Sequence, residues 1–249
     1  MRRNSRVHCT LASTLDSMTH DKLLLVEGTD DLHAIRNLVY HHDIVVHYAG
    51  DERSPAVSES DLTIQQARGQ NRIGTAIRNV LRLGNVTTLG VVADADEDHE
   101  AQWESVINHL FRHLDQRAFT SIDDFDVTEG WVGESVDAIE DPVCVGCWLM
   151  PDNVSQGALE DFAAQLVPET DDLWPHAGTV IENLPRQPFK TAHRGKARMH
   201  TYLAWQDPPR EPIGRAISNG PLTIESPLAA QFVTWMRRLF QVDDATGDA

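Results

Sequence analysis

Residues 89–98 read LGVVADADED, an apolar run that ends in closely spaced carboxylates. Residues 23–28, LLLVEG, have the same form. Both runs have the length and branching of strands buried on both faces, and helix-like sequence follows each terminal acid. We therefore predict an α/β fold with a largely parallel sheet sandwiched by helices. Glu27 and Asp94 then stand at strand carboxyl ends, where open parallel sheets place their sites.

The spacing of these acids predicts a metal site. Asp94 and Asp96 are two residues apart, so on an extended strand both side chains leave the same face and can approach one hard cation. Glu27, from a neighbouring strand, completes the set. Carboxylates gathered in a small volume raise one another's pKa unless a divalent ion compensates their charge. We expect Mg²⁺ or Mn²⁺; the other interpretation is that these acids only cap the helices that follow.

The order VEG and then an apolar strand ending in DAD resembles the Toprim domain of topoisomerases, bacterial primases, small ribonucleases and OLD (overcoming lysogenization defect) nucleases. The continuation through WLMPDN, GALEDF and KARMHTYLAWQ is more similar still to a stand-alone Toprim-related family. This resemblance covers residues 20 to 240. It implies a Rossmann-like core with a carboxyl-terminal helical elaboration, and metal-dependent phosphodiester hydrolysis of nucleic acid, with a role in phage defence or nucleic-acid processing.

The resemblance also implies roles for particular acids. Glu27 would bind metal or serve as the acid/base, Asp31 would supply an additional acid, and Glu160 or Asp161 would help to hold a second cation. Taken singly, Asp31, Glu160 and Asp161 are equally typical of acids that the macrodipole favours at a helix start. OLD-type relatives often act with an ATPase. Because no G-x-x-x-x-G-K-[ST] loop occurs here, any such ATPase would be a separate chain.

The formal net charge of −17 opposes affinity for a phosphate backbone, but the charge is segregated along the chain. Residues 118–185 contain no Lys or Arg, whereas residues 186–215 contain seven against only two acids, and residues 62–93 add four Arg. A local basic groove beside an acidic metal site is therefore expected, although an acidic surface adapted for solubility accounts for the composition equally well. Lys196 is the best basic candidate, because an ammonium stabilises charge that develops on a phosphate. Lys190 competes with it, and His193 and His200 are candidates to assist proton transfer.

We expect a loose tail over residues 1–20, an α/β core over 21–167, an extension packed on that core over 168–242 and a frayed tail over 243–249. Within these, residues 61–83 are predicted as one long helix, residues 121–136 as a hairpin-like excursion, and the proline-rich residues 168–188 as connecting structure. Cys144 and Cys147 have C-x-x-C spacing on a predicted strand, where residues three apart face opposite sides, so we expect core packing rather than zinc.

No apolar run reaches membrane-spanning length, and the opening lacks the apolar centre of a signal peptide, so a cytoplasmic protein without a membrane partner is expected. Two other function classes stay open. An aspartyl-phosphate phosphatase of the haloacid-dehalogenase type also has an apolar strand ending in D-x-D, although that family places it on the first core strand. A noncatalytic Toprim module that binds or regulates a partner also suits the acidic composition.

Overall fold

The computed structural model describes residues 21–48, 51, 53–67, 72–82, 84–114, 119–121, 127–135 and 142–243. The strands in this part of the chain are β1 (Lys22–Val26), β2 (Val46–Tyr48), β3 (Leu62–Gln66), β4 (Thr88–Asp94), β5 (Phe119–Ser121), β6 (Trp131–Ser135) and β7 (Cys144–Met150). They form one sheet in the order β2-β3-β1-β4-β7-β6-β5. Pairing is parallel from β2 through β7, and β6 and β5 continue the sheet antiparallel.

Helices cover both faces of the sheet. They are α1 (Thr29–Tyr40), α2 (Ile73–Leu81), α3 (His99–His113), α4 (Leu159–Ala164), α5 (Leu173–Glu182), α6 (Arg194–Ala204), α7 (Ile213–Asn219) and α8 (Pro227–Phe240). Alternate residues of β1 explain the layering, because Leu24 and Val26 pack with α1 and α4–α8 while Leu23 and Leu25 pack with α2 and α3. The predicted α/β fold with a mostly parallel, helix-flanked sheet is confirmed.

The prediction of one helix over residues 61–83 was wrong. Its first part is the strand β3, which pairs with β2 on one side and β1 on the other, and the α-helix among the described residues of this stretch is Ile73–Leu81. Thr63 and Ile64 are buried there, as β-branched side chains suit a strand inside a sheet. Tertiary pairing therefore overrides the helix-like spacing of the apolar residues.

The interpretation of residues 168–188 as connecting structure was also wrong, because they include α5. Pro175 occupies the first turn of this helix, where a missing N–H costs no intrahelical hydrogen bond. The extension does pack on the core as expected, since α5 to α8 share one buried cluster with β1, β4 and β7. Ser226 caps α8 by accepting from the Ala229 amide at 3.1 Å, with Pro227 in the first turn.

Three smaller expectations meet the structure as follows. The hairpin-like excursion is confirmed in the antiparallel β5–β6 pair, while residues 122–126 and 136 lie outside the described part. Cys144 and Cys147 pack on opposite faces of β7, as their spacing predicts. The expected tails over 1–20 and 244–249 lie outside the described residues. Within the described ranges, no helix has the length and apolar character needed to cross a membrane.

Candidate functional site

Glu27 and Asp94 meet at the carboxyl edge of the sheet. Their strands β1 and β4 are parallel neighbours, with Val26 opposite Val92. Glu27 is only 6% exposed, and its Oε1 accepts a hydrogen bond from the Asp94 amide at 3.2 Å. Two acids that lie far apart in sequence are therefore adjacent in the folded chain, as the strand pattern predicted.

Two helix starts bring three more acids to the same edge. In α1, Asp31 Oδ2 accepts from the Gly28 amide at 3.1 Å, and in α4, Asp161 Oδ2 accepts from the Ala158 amide at 3.0 Å. Each aspartate thereby satisfies a backbone donor at its own helix start. The acid before Asp161 is Glu160, which is buried in the first turn of α4.

Helix α4 also contacts β4 directly. The amide of Leu159, in the first turn of α4, donates to Asp94 Oδ1 at 3.1 Å. The positive end of a helix therefore faces the Asp94 carboxylate. This contact joins the end of β4 to the segment that follows β7.

The position of Asp96 requires a correction. We expected Asp94 and Asp96 on one extended strand, but β4 ends at Asp94 and Asp96 has a left-handed backbone with φ of 51°. Aspartate tolerates this conformation better than most residues. Asp96 also exchanges two backbone hydrogen bonds with Gly157, at 2.8 and 2.9 Å. It therefore joins the β4 end to the loop before α4, so the argument from strand alternation does not apply, although Asp96 still acts electrostatically on Glu27 and Asp94.

The clustering perturbs the acids strongly. Burial, with the charges of Asp31 and Asp96, raises the pKa of Glu27 to about 7, although the Asp94 amide opposes the shift. Burial, followed by the charges of Asp31, Glu27, Asp96 and Glu160, raises the pKa of Asp94 to about 8. Burial also raises the pKa of Asp31 and of Asp161, and Glu160 adds to both shifts. These five acids and Asp96 form what we call the carboxylate cluster: Glu27, Asp31, Asp94, Asp96, Glu160 and Asp161.

Lys196 supplies positive charge to the carboxylate cluster. Its Nζ lies 2.8 Å from Glu160 Oε1, with the lysine side chain 56% exposed and the glutamate side chain 9% exposed. The hydrogen bond to Glu160, assisted by the charges of Glu160, Asp94 and Asp30, raises the pKa of Lys196. His200 Nε2 lies 3.9 Å from the same glutamate oxygen. Lys196 is therefore placed with the acids, as predicted.

A close helix contact fixes this arrangement. A Cβ atom on Gly195 would overlap the Asp161 carboxylate, so α6 approaches the start of α4 more closely than any larger residue allows. Lys196 is the next residue along α6. The approach of α6 to α4 therefore sets the position of the ammonium over Glu160.

The donor chemistry of the carboxylate cluster suits a hard divalent cation. All of its side chains offer carboxylate oxygen, and a cation would relieve the repulsion that raises their pKa values. Glu27 and Asp94 each use one carboxylate oxygen for a backbone amide, and the other oxygen has no hydrogen-bond partner among the described residues. In the same ranges, however, no three Asp, Glu, His or Cys side chains are already arranged as a metal-holding group. Holding an ion therefore requires the free carboxylate oxygens to turn toward one another.

The other predicted basic candidates are not in the cluster. Lys190 and His193 are exposed residues just before α6, and among the described residues their side chains form no hydrogen bond or ion pair with these acids. Arg198 has a structural role, because its guanidinium lies 3.7 Å from the Trp174 ring centroid and donates to the Trp174 carbonyl. Asp30, the second residue of α1, acts electrostatically on both Asp31 and Lys196. The Asp30-Asp31 pair, which follows VEG after one threonine, was the available signal.

A family model described as protein of unknown function (DUF3226) matches residues 21–241. The chain belongs to this family. Comparison with curated proteins gives no match, and comparison with solved structures gives none. The DUF3226 match spans both the core and helices α5 to α8, so Lys196 and the carboxylate cluster lie within one family unit.

Proposed function

We propose that this DUF3226 protein is a metal-dependent phosphodiesterase that hydrolyses nucleic acid, as its VEG and DAD motifs suggest by their resemblance to Toprim nucleases. One observation carries the proposal: Glu27, Asp94 and Glu160 come from three separate chain segments, yet they share a carboxylate cluster with Lys196 as its ion-pair partner. Structural acids rarely accumulate so densely at the carboxyl edge of a parallel sheet.

In the proposed reaction, the oxygen of one water bonds to phosphorus, the bond from phosphorus to the leaving oxygen breaks, and that oxygen takes up a proton. Glu27 accepts the proton of the water, since a pKa of about 7 suits acid/base work near neutral pH. Lys196 donates toward the phosphoryl oxygens, where negative charge grows. Asp94, Asp96 and Glu160, with Asp31 and Asp161, would hold Mg²⁺ or Mn²⁺, which orients the phosphate and acidifies the attacking water.

The proposal includes a cytoplasmic setting with DNA or RNA as the partner. A separate ATPase chain and a role in phage defence follow only from the resemblance to OLD proteins. Neither is needed for the chemistry at the carboxylate cluster.

The deciding experiment incubates purified protein with single-stranded and duplex DNA and RNA in Mg²⁺, in Mn²⁺ and in EDTA. We expect metal-dependent cleavage by the wild type, and a loss on the order of 100-fold in Glu27→Gln and Asp94→Asn. The matched controls are Glu169→Gln and Asp172→Asn, which remove the same charges from exposed positions on the loop before α5. These controls should cleave like the wild type.

Equal behaviour of the wild type, the two site variants and both controls would overturn the nuclease proposal. It would favour a noncatalytic binding module. In such a module Glu27 and Asp94 would have a structural role, since each accepts a hydrogen bond from a backbone amide. Covalent trapping of phosphate on Asp94 would instead establish an aspartyl-phosphate phosphatase. The position of the DAD motif disfavours that role, because haloacid-dehalogenase-type phosphatases place D-x-D on the first core strand, whereas β1, β2 and β3 precede β4 here.

A further inference from the structure

A short stretch before and into α6 concentrates positive charge next to the carboxylate cluster. We call residues 186–196 the basic segment. It contains four cations and no Asp or Glu, in a chain whose net charge is −17. All four cations are exposed: Arg186, Lys190, Arg194 and Lys196. This local excess of positive charge adjoins the carboxylate cluster, where Lys196 pairs with Glu160.

The backbone of the basic segment is held at both ends. At its start, Gln187 Nε2 donates to the carbonyl of Ile181 in α5 at 2.9 Å. At its end, Gly195 packs against the Asp161 carboxylate and Lys196 pairs with Glu160. Between them the amide of His193 donates to the Lys190 carbonyl at 2.9 Å. The cations are therefore presented at defined positions.

Two of these cations have no acid partner. Lys196 pairs with Glu160, and Arg194 pairs with the exposed Glu182 at 2.8 Å. Among the residues that the structure describes, Arg186 and Lys190 form no ion pair. Their charges are therefore available to an external anion.

The spacing of the cations suits a phosphate backbone. One 3₁₀ turn and one α-helical turn separate Lys190 from Lys196, which places their Cα atoms roughly 10 Å apart. Nucleic-acid strands carry one charge about every 3.4 Å of duplex length, so this distance covers about three phosphates. Arg186 lies four residues before Lys190, in a stretch without helix or strand, and is likewise exposed.

We infer that Arg186 and Lys190 bind the phosphate backbone of the nucleic-acid strand next to the bond held at the carboxylate cluster. The inference rests on the proposed function for its ligand class, and it adds the surface along which the strand lies. Phosphate contacts of this kind position a strand without reading its sequence. We therefore expect binding that is independent of base sequence and strongly dependent on salt.

The test measures binding of short fluorescent single-stranded and duplex DNA and RNA by anisotropy in EDTA, at roughly 50 and 200 mM salt. The variant is Arg186→Ala/Lys190→Ala. The control is Arg82→Ala/Arg112→Ala, which removes the same charge from exposed residues at the carboxyl ends of α2 and α3, on the opposite edge of the sheet. We expect an affinity loss on the order of 10-fold in the variant, with the salt slope reduced by about 1.5, and little change in the control.

The outcomes separate this inference from the proposed function. Wild-type protein that binds but does not cleave in Mg²⁺ or Mn²⁺ refutes the hydrolytic proposal, while selective weakening in Arg186→Ala/Lys190→Ala still supports the binding surface. Equal binding by the variant and the control, with unfolding temperatures unchanged, overturns the surface even if cleavage occurs. Competition by polyglutamate at matched charge as strongly as by unlabelled oligonucleotide also overturns it, because the surface would then fit an acidic protein.

Discussion

Helices α1 and α4 begin in the same way at the edge of the sheet, yet among the described residues only α4 has the acid at its second position in an ion pair. In both helices the third residue is an aspartate that accepts from the amide preceding the helix, at 3.1 Å for Asp31 and 3.0 Å for Asp161. The preceding acid is exposed in α1, where it is Asp30, and buried in α4, where it is Glu160. Local sequence therefore determines the capping aspartate, but it does not determine whether the acid before it is buried or exposed.

The difference comes from α6. Gly195 allows this helix to pack against Asp161, and Lys196 then covers Glu160 and takes up its negative charge. Lys196 compensates the charge of the buried Glu160, whereas Asp30 is exposed to solvent. Packing by α6 therefore distinguishes Glu160 from Asp30, the acid at the equivalent position of α1.

The largest effect that this comparison predicts is on the rate of cleavage. We expect Glu160→Gln to reduce metal-dependent cleavage on the order of 100-fold, since it removes a cluster oxygen and frees Lys196. Asp30→Asn removes one negative charge at the equivalent helix position and should cost less than about 3-fold. Steady-state cleavage rates at saturating Mg²⁺ measure both. Similar losses in the two variants would show that the packing of α6 over Glu160 does not make this acid more important for cleavage than Asp30.

The pH dependence of stability compares Glu27, on the α1 side, with Asp94, on the α4 side. Burial raises the pKa of Glu27 to about 7 and that of Asp94 to about 8. The folded state therefore retains protons that the unfolded chain releases near pH 4. The contribution of these two acids to the free energy of unfolding is full below about pH 4 and is lost as the pH rises through 7 to 8. In EDTA we expect the unfolding temperature of the wild type to fall between pH 5 and 8, on the order of 5 °C more than that of Asp94→Asn.

Glu27→Gln should flatten this pH profile less than Asp94→Asn, because its pKa is raised less. Addition of Mg²⁺ at pH 8 should recover the lost stability in the wild type and not in Asp94→Asn. Calorimetry across the pH range provides both measurements. Parallel profiles for the wild type and Asp94→Asn would mean that the acids do not interact as their burial and proximity indicate.

Much of the site was predictable because strand ends follow simple rules. Two apolar runs that end in acids predict adjacent parallel strands, and β1 and β4 are neighbours with Glu27 against the Asp94 amide. The place of Asp96 was not predictable from alternation, since its left-handed backbone depends on pairing with Gly157, far along the chain. The strand β3 was missed for the same kind of reason, as its identity depends on two neighbouring strands.

The sequence identified Lys196 as a candidate, but it did not predict which acid its ammonium contacts. Sequence similarity and charge singled out this lysine, and nothing in its spacing from Glu160 showed that the two residues meet. Their contact depends on the packing of α6 against the start of α4, and α6 is also held by α5, which sequence analysis took for connecting structure. Long-range packing supplies what local periodicity cannot.

The smallest predicted effect concerns the two glycines that adjoin these helix starts. Gly195→Ala should lower the free energy of unfolding by about 1 to 2 kcal/mol, because overlap with Asp161 outweighs the gain in helix propensity. Gly28→Ala should cost less than about 0.5 kcal/mol, since its Cβ would lie 3.2 Å from the Asp31 oxygen, a much longer distance than at Gly195, and its backbone is already extended. Urea denaturation measures both. Adding Asp161→Ser to Gly195→Ala should recover about 1 kcal/mol by removing the overlap; no recovery would mean that α6 does not rest on the start of α4.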